Sequence, residues 1–217
     1  MVERAQASKL AYLPVASFIQ QTASRAPTPG GGAVAALNGS LGAGLLLMVC
    51  RLTVGKKKYQ AVEAAMRARA DGLMPLRDRL KELVDEDASA FDRVMEAYGL
   101  PTGDDAEEEA QARALAVAYG DATRVPLEVM RLCLEGLERG QDVAAEGSSN
   151  ALSDAAVAGL ALHTGFHGAA YNVRINLSEL ASGDLRDEAE KALAEWPSRA
   201  DLLCAKIRET IDRRLGE

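Results

Sequence analysis

Apolar residues recur along this chain at intervals of three and four, the spacing of one face of an α-helix, and no stretch alternates as a strand does. A short helix is predicted from Pro14 to about Ser24, with Val15, Phe18 and Ile19 on its apolar side. A second spans 32–54. A long stripe follows from Tyr59 through Val62, Met66, Leu73, Leu76, Leu80, Leu83, Phe91 and Val94 to Tyr98, stopping at Gly99–Leu100–Pro101, with Gly72 and Pro75 expected to bend it. The acidic run GDDAEEEAQ (103–111) opens a third stripe, Leu115, Ala118, Ala122, Val125, Val129, Leu132 and Gly136. Within it Pro126 either kinks the helix or begins a new one capped by Thr123. A Gly- and Ser-rich loop (146–150) leads to a helix from about Ser153 to Leu177, and SGDL (182–185) opens a last helical region expected to break near Trp196–Pro197. The expectation is an all-α, single-domain bundle over residues 1–217.

The 32–54 segment sets the architecture. From Pro27 to Cys50 it carries no charge, Pro29 and Gly30–Gly32 mark its entry, and Gly55 followed by Lys56, Lys57 and Lys58 marks its exit. Gly32, Ala36, Ser40 and Gly44 form one row of small residues; Ala35, Gly39 and Ala43 form a second. Such a smooth face lets neighbouring backbones approach closely, and a helix without charge all round is expected to be enclosed by the others. The run also passes a hydropathy test for a membrane span. Six glycines with Asn38 and Ser40, and the lack of a second such segment, favour a buried core helix.

Composition narrows the possible functions. A net charge of −7 and a pI near 5.0 argue against a nucleic-acid surface. Cys50, Cys133 and Cys204 are widely spaced, form no metal or redox pattern and fit a reducing cytoplasm. The N-terminal MVERAQASKLAYLP has charges at both ends and no apolar core, so no signal peptide is expected there.

Asp87 is the clearest anomaly. It occupies a stripe position between Leu83 and Phe91, where an apolar residue belongs, so it must be paired, protonated or facing a ligand cavity. The competing reading is a buried ion pair to Arg51 or another interior base. Asp85 and Glu86 fall off the stripe and are expected to be solvated. Asp154 follows Ser153 at a helix start, where an ordinary cap and dipole role suffices. Asn172 and Asn176, one turn apart, either read a donor–acceptor edge or join helices. His163 and His167 have zinc-compatible spacing, but no third ligand is evident in the sequence and no metal is expected. Lys56–Lys58 lie past a helix C-terminus, and three lysines exceed what dipole compensation needs. The required glycine spacing and hydroxyl of a Walker motif are missing.

Four stretches carry a family resemblance: PTPGGGAVAALNGSLGAGLLLMVCRLTVGKKKY (27–59), LVDEDASAFDRVMEAYGLP (83–101), SSNALSDAAVAG (148–159) and AAYNVRINL (169–177). Together they resemble the cyclodeaminase/cyclohydrolase family of tetrahydrofolate enzymes, and AFDRVMEAYGLP is similar to its stand-alone methenyltetrahydrofolate cyclohydrolases. Ala33 departs from the serine often found after the glycines, so a hydroxyl there is not expected to be essential. The resemblance implies a homodimer acting on a folate, with 5,10-methenyltetrahydrofolate hydrolysed to 10-formyltetrahydrofolate without a metal or redox cofactor. It makes Asp87, Asp154 and Lys56 catalytic candidates. Pro29, Gly30, Gly31, Gly32, Lys57, Lys58, Tyr59, Asn172 and Asn176 become candidate substrate contacts, with the lysines suited to a glutamate tail. A formiminotetrahydrofolate cyclodeaminase and a non-catalytic helical assembly module are the alternatives.

Helix arithmetic adds a constraint. Residues 32–54 span about 34 Å and Tyr59–Asp87 roughly 42 Å at 1.5 Å per residue. A short link makes these helices antiparallel neighbours, so Asp87 returns to the level of Gly30–Gly32 while the lysines stay at the far end. If lysines and glycines touch one ligand, a second copy of the chain has to supply one of the two groups.

Overall fold

The computed structural model describes residues 9–216. Residues 1–8, which begin the stretch judged above not to be a signal peptide, lie outside the described residues. The helices are α1 (Val15–Thr22), α2 (Gly31–Thr53), α3 (Glu63–Tyr98), α4 (Asp105–Glu146), α5 (Leu152–Leu177) and α6 (Asp184–Leu215). Short 3-10 turns at Leu10–Tyr12, Lys57–Val62 and Ser149–Ala151 join them. No strand occurs among the described residues. The acidic entry to α4 behaves as its sequence implies: Asp104 caps the helix by accepting from the Glu107 amide at 2.9 Å, and the Glu107 carboxylate accepts from the Gly103 amide at 2.7 Å.

The prolines do not divide the helices. α3 runs through Gly72 and Pro75, α4 through Pro126 and α6 through Pro197, so neither a new helix at Pro126 nor a break at Trp196–Pro197 occurs. A proline removes one N–H and frees the carbonyl four residues earlier, and burial of the flanking face outweighs that loss. Thr123 is no cap: its hydroxyl donates to the Tyr119 carbonyl within α4, at 2.8 Å. In α6 the flanking face is Ala192, Ala200, Leu203 and Ile207, all buried.

α2 packs against α3, α5 and α4. Its small residues are used as backbone clearances. A Cβ on Gly42 would lie 2.8 Å from the Ala158 carbonyl oxygen of α5, and one on Gly165 would lie 2.8 Å from the Ala35 carbonyl oxygen of α2. Those close approaches let Leu46, Met66, Leu80, Met130, Leu137, Leu162 and Phe166 share one fully buried core, each such side chain stabilising by about 1.5–3 kcal/mol.

Enclosure is incomplete, contrary to the expectation for an uncharged helix. Leu41 is 56% and Leu52 44% exposed, and Val34, Leu37, Leu45 and Met48 are half-buried along the same side. Three sides of α2 are covered by helices of this chain, and among the described residues the fourth is an open apolar stripe. α1 also differs: only Phe18 is buried, while Val15 and Ile19 are 77% and 62% exposed and line an apolar groove of about 600 Å³ with Leu10, Val34 and Leu37. By length and composition α2 is the one described helix apolar enough to cross a membrane, and most of its length is buried by protein.

Candidate active site

Asp87 projects from α3 onto the N-terminus of α2. The cap of α2 is Gly30, which has no side chain to satisfy the first amides of the helix. Asp87 takes that place from a distant helix, with the Ala33 amide donating to its carboxylate. Gly32 is required by the approach: a Cβ there would lie 2.0 Å from Asp87 Oδ1. Gly30–Gly32 therefore do two things, admitting the carboxylate and presenting helix-start amides beside it.

Among the described residues no cation compensates this carboxylate. Arg51 lies at the other end of α2, about 30 Å away at helical rise, which overturns the ion-pair reading. Burial raises Asp87 from the ordinary 3.8 to about 6, opposed by the Ala33 amide. Asp85 and Glu86 are not merely solvated. Asp85 Oδ1 accepts from the Leu10 amide at 2.6 Å, tying down the N-terminal turn, and Glu86 pairs with Arg79.

The carboxylate opens into a cavity of about 340 Å³ lined by Thr28, Gly30–Gly32, Phe91, Tyr119, Asn172 and Asn176, among others. Pro29 is buried behind this lining. Phe91, half exposed to the cavity, completes the wall next to Asp87. Asn176 resolves the proline of α4: Pro126 leaves the Ala122 carbonyl without a helical donor, and Asn176 Nδ2 donates to it at 2.7 Å. Asn172 Nδ2 donates to the Gly168 carbonyl at 2.9 Å. Each amide thus has one donor engaged in structure, which orients its remaining polar edge at the cavity. Tyr119 was not singled out from sequence. Its hydroxyl is 3.0 Å from that of Tyr98, and this hydrogen bond pushes Tyr119 up to about 12, keeping it a neutral phenol. An aromatic on an Ala-rich helix, in a chain with five tyrosines, was the available signal.

The remaining predicted residues gather elsewhere. Past the C-terminus of α2, Lys56 Nζ donates to Ser148 Oγ at 3.0 Å. The Ser149 amide donates to the Tyr59 hydroxyl at 2.8 Å, and the Ser149 hydroxyl lies 3.0 Å from it. These contacts lower the Tyr59 phenol to about 8. The Ser148 amide is held by Thr53 Oγ1 at 2.8 Å. Ser148, Ser149 and Thr53 build this cluster although sequence reading left them out. Lys57 and Lys58 are exposed beside it, and Asp154 is in the first turn of α5 on the same end. Asp154 is about 27 Å along α5 from Asn172. Within one chain, then, Asp87, the glycines and the asparagines form one group. Lys56, Lys57, Lys58, Tyr59 and Asp154 belong to the opposite end.

Comparison with known proteins gives consistent matches. The family model described as formiminotransferase-cyclodeaminase matches residues 14–195. The chain is 40% identical over 202 residues to the methenyltetrahydrofolate cyclohydrolase of Methylorubrum extorquens, covering 93% of this chain and 97% of that protein. It is 29% identical to the formimidoyltransferase-cyclodeaminase of Sus scrofa, covering 94% of this chain but only 38% of that longer protein. Among solved structures, the formiminotetrahydrofolate cyclodeaminase of Thermotoga maritima superposes with a TM-score of 0.83 at 28% identity, over 95% of this chain and 100% of that one.

Proposed function

Because the chain belongs to the formiminotransferase-cyclodeaminase family, we propose that it hydrolyses 5,10-methenyltetrahydrofolate to 10-formyltetrahydrofolate. The observation that carries the chemistry is Asp87: a buried carboxylate with no cationic partner among the described residues, raised to about 6, against glycine amides at a helix N-terminus. Water adds to the cationic carbon that bridges N5 and N10, and Asp87 takes its proton. The resulting carbinolamine loses its hydroxyl proton as the carbon–N5 bond breaks, and the Asp87 acid returns a proton to N5. One proton is released overall. The helix-start amides of Gly31 and Gly32 stabilise the oxygen as charge develops on it. Asn172, Asn176 and the neutral Tyr119 hold the pterin edge. No step calls for a metal or redox cofactor, and we assign the work to the cytoplasm.

Identity favours hydrolase over deaminase, since the 40% match spans nearly all of a stand-alone cyclohydrolase. Purified protein should discharge the methenyl chromophore faster than buffer and release ammonia from the formimino compound much more slowly. The opposite ratio of specificity constants would transfer the assignment to the deaminase, and activity on neither would leave a non-catalytic module.

The working unit is a homodimer in this reading. The open stripe of α2 around Leu41 runs beside exposed Val157, Leu160, Tyr171 and Ile175 on α5, an apolar face of the kind two copies bury against each other. We take this face as a subunit contact and not a lipid-facing one. A two-fold axis there lets the lysine end of one copy meet the cavity end of the other, so Lys56–Lys58 and Tyr59 act on the glutamate tail in trans, and Asp154 comes with them as a second acid/base or an anchor for the pterin. Sedimentation in detergent-free buffer should give a dimer. Mixing Asp87→Asn chains with chains lacking the three lysines should, after subunit exchange, recover parent-like KM for polyglutamylated substrate at the one intact Asp87 of each heterodimer; no recovery would make each site complete within one chain.

A further inference from the structure

The two histidines expected to lack a third ligand acquire one from the last helix. His163 and His167, one turn apart on α5, direct their Nε2 atoms at the same oxygen, Oδ1 of Asp201 on α6, at 2.7 and 2.8 Å. The three donor atoms lie within 4.8 Å of one another. Sequence spacing could not reveal this, because Asp201 follows His167 by 34 positions.

We propose that His163, His167 and Asp201 form a zinc-class divalent metal site that fastens α6 to α5. The donor set is the borderline imidazole and carboxylate combination that zinc prefers, and it leaves a fourth position for water. Zinc holds such donors at about 2.0–2.2 Å, so tetrahedral geometry sets them about 3.3 Å apart. Asp201 Oδ1 therefore has to withdraw by about half an ångström, which its position allows: its side chain is 59% exposed. The imidazoles are better held, at 31% and 32% exposure, with the His167 ring edge-on to the buried Phe166 at 5.2 Å. Fixed nitrogens and one adaptable oxygen at the surface give an ion both a template and an entry path.

The site is separate from the cavity. His163 and Asn172 are nine residues apart on α5, which puts them about half a turn out of phase on the helix. The ion would bind on the outer side of α5, where it can pin a helix without touching substrate. Its role is structural, and it does not depend on the hydrolase reading.

The test begins with the full chain stripped by a chelator and titrated with zinc chloride against a chromophoric competitor. One zinc per chain is expected, and cobalt in its place should give the visible absorption of a tetrahedral ion. His163→Gln and Asp201→Asn should each weaken zinc binding at least about tenfold. Saturating zinc should raise Tm by about 5 °C in the parent and leave Asp201→Asn unmoved. Asparagine keeps an acceptor oxygen towards both imidazoles, so the helix contact survives in that variant while the ligand is lost. Asp87→Asn should bind zinc like the parent. Binding below one equivalent, binding indifferent to the three residues, or a Tm that ignores zinc would each overturn the proposal and leave a hydrogen-bonded tie between helices.

Discussion

The two ends of α2 are built on opposite principles. At its N-terminus a carboxylate is pressed against helix-start amides in a partly enclosed cavity, and burial brings Asp87 to about 6. At its C-terminus cationic and hydroxylic side chains bond in pairs, Lys56 to the buried Ser148 and Tyr59 to the exposed Ser149, where the bundle opens to solvent. The first arrangement suits proton transfer, where a base must be poised near working pH. The second suits holding an anion, where charge is wanted but water need not be excluded. Separating them along a helix of 23 residues keeps the lysines of the same chain from pairing with Asp87 and pulling it back into the ordinary carboxylate range.

The comparison is broken most severely by Asp87→Asn. The cavity keeps its shape but loses the proposed base, and kcat should fall by about 10² or more. The same variant should be at least as stable as the parent at neutral pH. The protonated form is the one burial favours, so its contribution is complete below the ordinary 3.8 and lost as pH rises through about 6. An asparagine avoids that loss, roughly 1–2 kcal/mol after allowing for partial exposure. Urea melts at pH 8 and pH 4 would check it: the gain should be present at the first and shrink at the second.

Gly32→Ala comes next. Its Cβ would collide with Asp87 Oδ1 at 2.0 Å, so the carboxylate must leave the amides. A 10- to 100-fold loss of kcat/KM with about 1–3 kcal/mol of destabilisation is expected, read from steady-state kinetics and a chemical melt.

pH sharpens the contrast. With Asp87 the base, kcat/KM should fall tenfold per pH unit below about 6 and level off above it. A limb that persisted in a lysine-deficient variant would locate this titration at the cavity end. Replacing Lys56, Lys57 and Lys58 by alanine should instead raise KM for polyglutamylated substrate about tenfold while leaving kcat near its parent value. A kcat loss equal to the KM change would place a lysine at the reacting carbon. The smallest effect belongs to Asn176→Ala, which orphans the Ala122 carbonyl and should cost about 1 kcal/mol in a thermal or urea melt.

Much of this molecule follows from local pattern. Helical periodicity, the acidic start of α4 and the glycine entry of α2 are set by neighbours in the chain, and the helix boundaries fall within a residue or two of where they are read except at the start of α3, which begins at Glu63 and not Tyr59 because Lys57–Val62 form a 3-10 turn. Asp87 was legible because one charge interrupts an apolar stripe, and its level beside Gly30–Gly32 follows from helix rise alone. What tertiary structure decided are the relations between distant segments. Pro126 and Pro197 stay inside helices because packing outweighs one lost hydrogen bond, and Asn176 becomes a donor to Ala122 only when α5 lies on α4. Asp201 reaches His163 and His167 only when α6 folds back. α2 keeps an open side because a single chain supplies covering helices for three sides, and its sequence is equally apolar on all of them. Periodicity tells which face a residue is on, but only packing tells what that face meets.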